Sequence, residues 1–114
     1  MKTTAVIISQ SPLKTLRVAE ALRMSVGLTL CDDAVRIVFV DDGVYTLLHT
    51  EPARVGMPEY SRHVRTLKDL GHAIYAERES LEERGLERIS FKPEIVSRAE
   101  VIRLLLDSDA VIRY

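Results

Sequence analysis

The groups able to do chemistry in this chain are few and widely spaced. They are one thiol at Cys31, three imidazoles at His49, His63 and His72, the pair Asp41-Asp42 followed by Gly43, and the stretch Ser9-Gln10-Ser11-Pro12. One cysteine allows no internal disulfide, no zinc cluster and no Cys-x-x-Cys redox pair. The histidines lie fourteen and nine residues apart, so none shares a helix face with another at the i, i+4 spacing of a metal pair. No metal and no cofactor is expected. Asp32 and Asp33 beside Cys31 disfavour a thiolate, which makes Cys31 a structural residue rather than a nucleophile. The Asp41-Asp42 carboxylates suit a hard cation such as magnesium. They suit better a turn in which an aspartate caps the segment Val44 to Leu48 and Gly43 takes the special backbone angle. Ser9 to Pro12 reads as a helix start, with Ser11 as cap and Pro12 in the first turn, and such a start can also hold an anion. Ser9, Ser11, Asp41, Asp42 and Gly43 therefore form a candidate crevice for a small anion or nucleotide.

Positioning these groups requires a scaffold, and the apolar pattern supplies one. Four short runs have little polar alternation: Ala5 to Ile8, Val35 to Val40, Ala73 to Ala76, and Ala110 to Ile112. Strands apolar on both sides are covered on both sides, as in a parallel sheet between helix layers. Glu94-Ile95-Val96 is a weaker fifth strand. Helical spacing fills the intervals. Pro12 to about Val26 carries a stripe of Leu16, Ala19, Leu22 and Val26, with Gly27 as its stop. Pro58 to Leu70 carries Tyr60, Val64 and Leu67 and stops at Gly71. Ser80-Leu81-Glu82-Glu83 and Ser97-Arg98-Ala99-Glu100 both have the form of a capping box. In the helix opened by the second, Val101, Ile102, Leu105 and Leu106 are expected to pack inward. Thr46 to Met57 is the expected long loop. The order predicts a single domain over 1–114: a three-layer, flavodoxin-like α/β fold with a mostly parallel sheet of four to five strands. In such sheets the functional crevice lies beyond the carboxyl ends of the strands.

Composition narrows the partners. Sixteen Lys and Arg against seventeen Asp and Glu leave a net charge of −1, so no global basic field exists for a nucleic acid, and direct nucleic-acid binding is not expected. No apolar run approaches the roughly 18 residues of a membrane span, and the first residues lack the apolar region of a signal peptide. A cytoplasmic protein is expected.

Three segments in order carry a further signal: Phe39-Val40-Asp41-Asp42-Gly43-Val44-Tyr45-Thr46-Leu47-Leu48, then Ile74-Tyr75-Ala76-Glu77-Arg78-Glu79-Ser80-Leu81-Glu82-Glu83-Arg84-Gly85-Leu86, and the ending Asp107 to Tyr114. Together they resemble the DsrE/DsrF-like sulfur-relay family, in its DsrF and TusC branch, over nearly the whole chain. The resemblance implies a small α/β subunit that assembles with paralogues and takes part in passing persulfide sulfur between proteins, toward sulfur oxidation or tRNA thiolation. It also implies that the sulfur carrier, a cysteine in active members, falls eight residues before Gly85, which here is Glu77. A carboxylate forms no persulfide. The resemblance thus points to a non-catalytic subunit whose Glu77, Arg78, Arg84 and Gly85 contact a cysteine-bearing paralogue. The alternative is a homo-oligomeric binding module of the same fold that uses the crevice. An enzyme acting through Cys31 is the least favoured expectation.

Overall fold

The computed structural model describes residues 2–11, 17–28, 34–48 and 61–114. Cys31, His49, the predicted helix start at Pro12, most of the predicted loop and the first residues of the predicted second helix lie outside the described residues.

The apolar runs become strands β1 (Thr3–Ile8), β2 (Ala34–Phe39), β3 (Ala73–Glu77) and β5 (Ala110–Arg113), and Glu94–Val96 is β4. They form one sheet in the order β4-β3-β2-β1-β5 with all neighbours parallel. A parallel neighbour needs a crossover, and helices α1 (Arg17–Leu28), α2 (Ser61–Asp69), α3 (Arg78–Glu83) and α4 (Arg98–Leu106) lie in those crossovers. Because β1 to β4 advance in one direction and β5 returns to the far side of β1, α4 lies on the face opposite the other helices.

The core divides accordingly. Val6, Ile8, Val35, Ile37, Phe39, Ile74 and Ala76 of the strands meet Val18, Ala21 and Leu22 of α1, Val64 and Leu67 of α2, and Leu81 of α3. On the other face Val38 and Val96 meet Val101 of α4, with Tyr75, Leu104 and Leu105 packed around them. Both faces of the sheet are apolar because both are covered, which is why the strands lack alternation.

Several local expectations shift. In α1 the buried side is Val18, Ala21, Leu22 and Ser25, one step round from the predicted stripe, and the helix continues through Gly27 to Leu28. In α4, Val101 is buried as expected, but Ile102 is 53% exposed and Leu106 82% exposed. One helix cannot turn all its apolar positions toward a single face of the sheet. The box at Ser97 is present, its hydroxyl accepting from the Glu100 amide and the Glu100 carboxylate accepting from the Ser97 amide. That at Ser80 is not, since α3 already begins at Arg78 with Glu77 as its cap residue. After α3 the chain reverses through Gly85 at φ 64°, whose amide donates to the Glu82 carbonyl while Leu86 donates to Leu81.

The Asp41-Asp42-Gly43 turn also differs. It opens a 3₁₀ segment, Asp41–Leu47, without a side-chain cap, and Asp41 rather than Gly43 holds the left-handed angle, at φ 48°. Gly43 is needed for space instead. A Cβ there would stand 1.9 Å from the Ile8 carbonyl oxygen at the end of β1. Gly43→Ala should therefore force the segment off β1 and destabilise the fold by about 3 kcal/mol or more, as overpacking against rigid backbone does. Urea denaturation of the variant checks this, and an unchanged midpoint would refute it.

Candidate functional site

The site grows from one buried carboxylate. Glu77 ends β3 and begins α3, and its residue surface is only 4% exposed. A charge taken out of water requires hydrogen-bonded partners. Glu77 Oε1 receives three: the Ser80 hydroxyl at 2.6 Å, Arg98 Nη2 at 3.0 Å and Arg98 Nε at 3.3 Å. Ser80 sits one turn into α3, where its side chain reaches back to the cap position. Arg98 opens α4, which the sheet order places beside the end of β3.

Ser80 extends the network. While its Oγ donates to Glu77 it accepts from the Asp41 amide at 2.9 Å, fixing the left-handed residue that opens the 3₁₀ segment. Arg84 closes a second link, with Nε at 3.2 Å and Nη2 at 3.0 Å from Asp42 Oδ1, and Nη1 at 3.2 Å from the Ser80 carbonyl. Glu79 Oε2 accepts from the Arg98 amide at 2.8 Å, at the positive end of α4. That backbone hydrogen bond, outweighing desolvation, holds the Glu79 carboxyl below its ordinary value. The side-chain bond to Glu77, with the Glu77 charge, holds Arg98 more firmly protonated than usual.

The carboxyl ends of the strands open onto a groove of about 410 Å³ beside α4, lined by Ile7, Val40, Asp41, Glu77, Arg98, Val101, Ile102, Leu105 and Arg113. A second cavity, of about 550 Å³, lies on the other side of α4 against Tyr75, Glu94 and Asp107, away from those strand ends. Among the described residues no three His, Cys, Asp or Glu side chains are grouped to hold a metal ion. His72 Nδ1 accepts from the Val35 amide at 3.2 Å and so serves the sheet.

Of the residues expected in the crevice, Asp41 lines this groove. Ser9 donates its hydroxyl to the Tyr114 carbonyl at 2.8 Å, Asp42 is held by Arg84, and Gly43 is pressed against β1. Glu77 is an interior group of this chain, whereas Arg78 next to it carries a half-exposed side chain. The expected continuous contact surface from Glu77 to Arg84 is interrupted further, because Ser80 and Leu81 are buried too. Arg98 and Ser80 were not identified as site residues from sequence. A buried glutamate calls for a cation, but which of sixteen Lys and Arg supplies it is set by the return of α4.

The comparisons agree with this fold. The DsrE/DsrF-like family profile matches residues 2–114. The intracellular sulfur oxidation protein DsrF of Allochromatium vinosum is 32% identical over 123 aligned positions, which cover 92% of this chain and 90% of that protein. The crystal structure of the ychN protein from E. coli superposes with a TM-score of 0.87 over 100% of both chains at 17% identity, a likeness of fold. This chain belongs to the DsrE/DsrF-like family. Among the described residues, no helix is long and apolar enough to cross a membrane.

Two outcomes are expected from the network. Ser80→Ala strands the Asp41 amide and removes a donor from Glu77, which should cost about 1–3 kcal/mol in chemical denaturation; no loss would mean that the hydroxyl is dispensable. The Glu79 carboxyl, lowered in the folded state, contributes stability that is complete above the unfolded value near 4.5 and is lost as pH falls through the lower folded value. Glu79→Gln should therefore be less stable at neutral pH and show a shallower decline below about 4.5. Parallel acid limbs for the two proteins would contradict the assignment.

Proposed function

We propose that this chain is a non-catalytic subunit of a sulfur-relay complex, built to assemble with a cysteine-bearing paralogue. The observation that carries the reading is Glu77. Sulfur relay needs a thiol that becomes Cys–S–SH and releases its outer sulfur when an acceptor thiolate attacks it. At the position matching the carrier this chain has a carboxylate, 4% exposed and bound by Ser80 and Arg98. The group has neither the chemistry nor the access of a carrier, while its network makes the corner between β3 and α3 rigid.

The relative named for intracellular sulfur oxidation favours that pathway over tRNA thiolation and favours the cytoplasm as the setting. Half-exposed Arg78, with the outer atoms of Arg84 and the turn at Gly85, is the part of the corner available to a paralogue. The alternative, a homo-oligomeric module holding an anion between Ser9 to Pro12 and Asp42, calls on side chains of which Ser9 and Asp42 are already engaged within the chain. The subunit reading therefore takes precedence.

Native mass spectrometry of the protein captured from its own host tests the proposal. The expected result is a complex with related small chains and labile sulfur on a partner. Cys31→Ala should leave sulfur transfer through that complex intact, and Arg78→Glu should weaken assembly or transfer by roughly tenfold, as a reversed charge at a contact does. A labile sulfur on Cys31, lost together with transfer in the alanine variant, would overturn the reading.

A further inference from the structure

The sheet reverses its winding at one place. From β1 the chain crosses to β2 through α1 on one face, and it enters β5 through α4 on the other, so the crossovers diverge between β1 and β5, which pair directly. Connections that part in this way leave a crevice beyond the carboxyl ends of the strands, the place where open α/β sheets hold small molecules. Here that crevice is the groove of about 410 Å³. Ile7, whose register partner is Arg113, lines it from β1, Val40 from the end of β2, and Ile102 and Leu105 from α4.

Its lining is of two kinds. Beside the aliphatic side chains stand four charged ones, Asp41, Glu77, Arg98 and Arg113. Glu77 and Arg98 answer each other. The Asp41 carboxylate and the Arg113 guanidinium have no hydrogen-bond or ion-pair partner among the described residues, although both line the same groove. Because β1 stands between their strands, the backbones of β2 and β5 run about 10 Å apart, twice the strand spacing, and the two charges do not meet. Asp41 is held ready in this position. Its amide donates to the Ser80 hydroxyl at 2.9 Å and its backbone is fixed at φ 48°, so the carboxylate is presented at the groove by a rigid corner.

We propose that this groove binds a small aliphatic α-amino acid as its zwitterion, the α-carboxylate accepting from Arg113, the α-ammonium donating to Asp41, and the side chain lying against Ile7, Val40, Ile102 and Leu105. The mixed lining selects this class. A simple anion would pair with Arg113 but stand against the Asp41 carboxylate, and a simple amine would pair with Asp41 but stand against Arg113. A nucleotide would bring several negative charges to a groove whose own charges cancel, and no aromatic side chain lines it to stack on a base. A zwitterion gives each unpaired group a charge-assisted hydrogen bond, bidentate at the guanidinium, and an aliphatic arm covers Ile102, which is 53% exposed without it. The site goes beyond the sulfur-relay reading and does not depend on it.

Isothermal titration calorimetry of the purified full chain with L-leucine tests it, against three analogues that each lack one feature: isocaproate without the ammonium, isoamylamine without the carboxylate, and glycine without the aliphatic arm. The expected result is saturable binding of one leucine per chain, with each analogue at least about tenfold weaker, as loss of a charge-assisted hydrogen bond or of a buried side chain entails. Asp41→Asn keeps a residue that tolerates the left-handed angle, and it should abolish the preference for leucine over isocaproate. Arg113→Met should abolish the preference over isoamylamine. Both positions are exposed, so the melting midpoints of the two variants should match that of the wild type. Absence of saturable leucine binding up to about 10 mM overturns the proposal, as do equal affinities for leucine and its analogues or variants that bind as the wild type does. Each of those outcomes leaves the relay reading standing, since that reading is tested by the partners and sulfur adducts of the captured complex.

Discussion

A carboxylate buried at the end of a central strand constrains everything around it. Glu77 is removed from water at the junction of β3 and α3, and the cost of leaving such a charge unpaired exceeds the contribution of most single contacts in a small domain. The chain meets that constraint from two helices and ties a third element to them. Ser80 donates from within α3, Arg98 donates from the first turn of α4, and the Ser80 hydroxyl in turn receives the Asp41 amide from the 3₁₀ segment. Elements far apart in sequence are thereby fixed to one corner. The neighbouring Glu79 adds a second tie to α4 through its backbone, so the helix on the thinly covered face is anchored where its N-terminus meets the sheet.

Topology explains why that anchor matters. Strand order β4-β3-β2-β1-β5 sends three crossovers over one face and brings only one back over the other. The thicker layer forms a contiguous core from α1, α2 and α3, whereas α4 buries chiefly Val101, with Leu104 and Leu105 partly covered. Apolar burial alone holds α4 less firmly than the other layer is held, and the polar ties at Glu77, Glu79 and the Ser97 capping box add to it. Ile102, Leu106 and Val111 remain exposed beside it.

Family membership fits this division of labour. On the proposed reading, Glu77 stands at the strand-end position that holds the sulfur carrier in active family members, and here that position holds a buried, hydrogen-bonded carboxylate. That arrangement is what supports the proposal that this chain contributes shape and contact to a relay.

Much of the architecture was legible beforehand because the signals were local. Apolar runs without alternation marked four strands, Glu94-Ile95-Val96 was the weaker fifth, Ser97 with Glu100 marked the start of α4, and Gly71 marked the stop after α2, at positive φ. The errors have physical causes as well. Gly43 looked like a turn glycine and is instead a glycine of close approach, which depends on where β1 ends in space. Ser80 looked like a helix cap and is instead a bridge between Glu77 and Asp41, because α3 begins a turn earlier. Ile102 and Leu106 looked like core positions, since helical spacing records which residues share a face but not whether anything covers it. The sequence by itself determined the strands, the parallel three-layer class and the absence of a thiol at position 77, all properties of residue type and near neighbours. Only the tertiary structure decided that Arg98 answers Glu77 across 21 residues and that Ile102 and Leu106 stay exposed, because both depend on how α4 lies on the sheet after the last crossover.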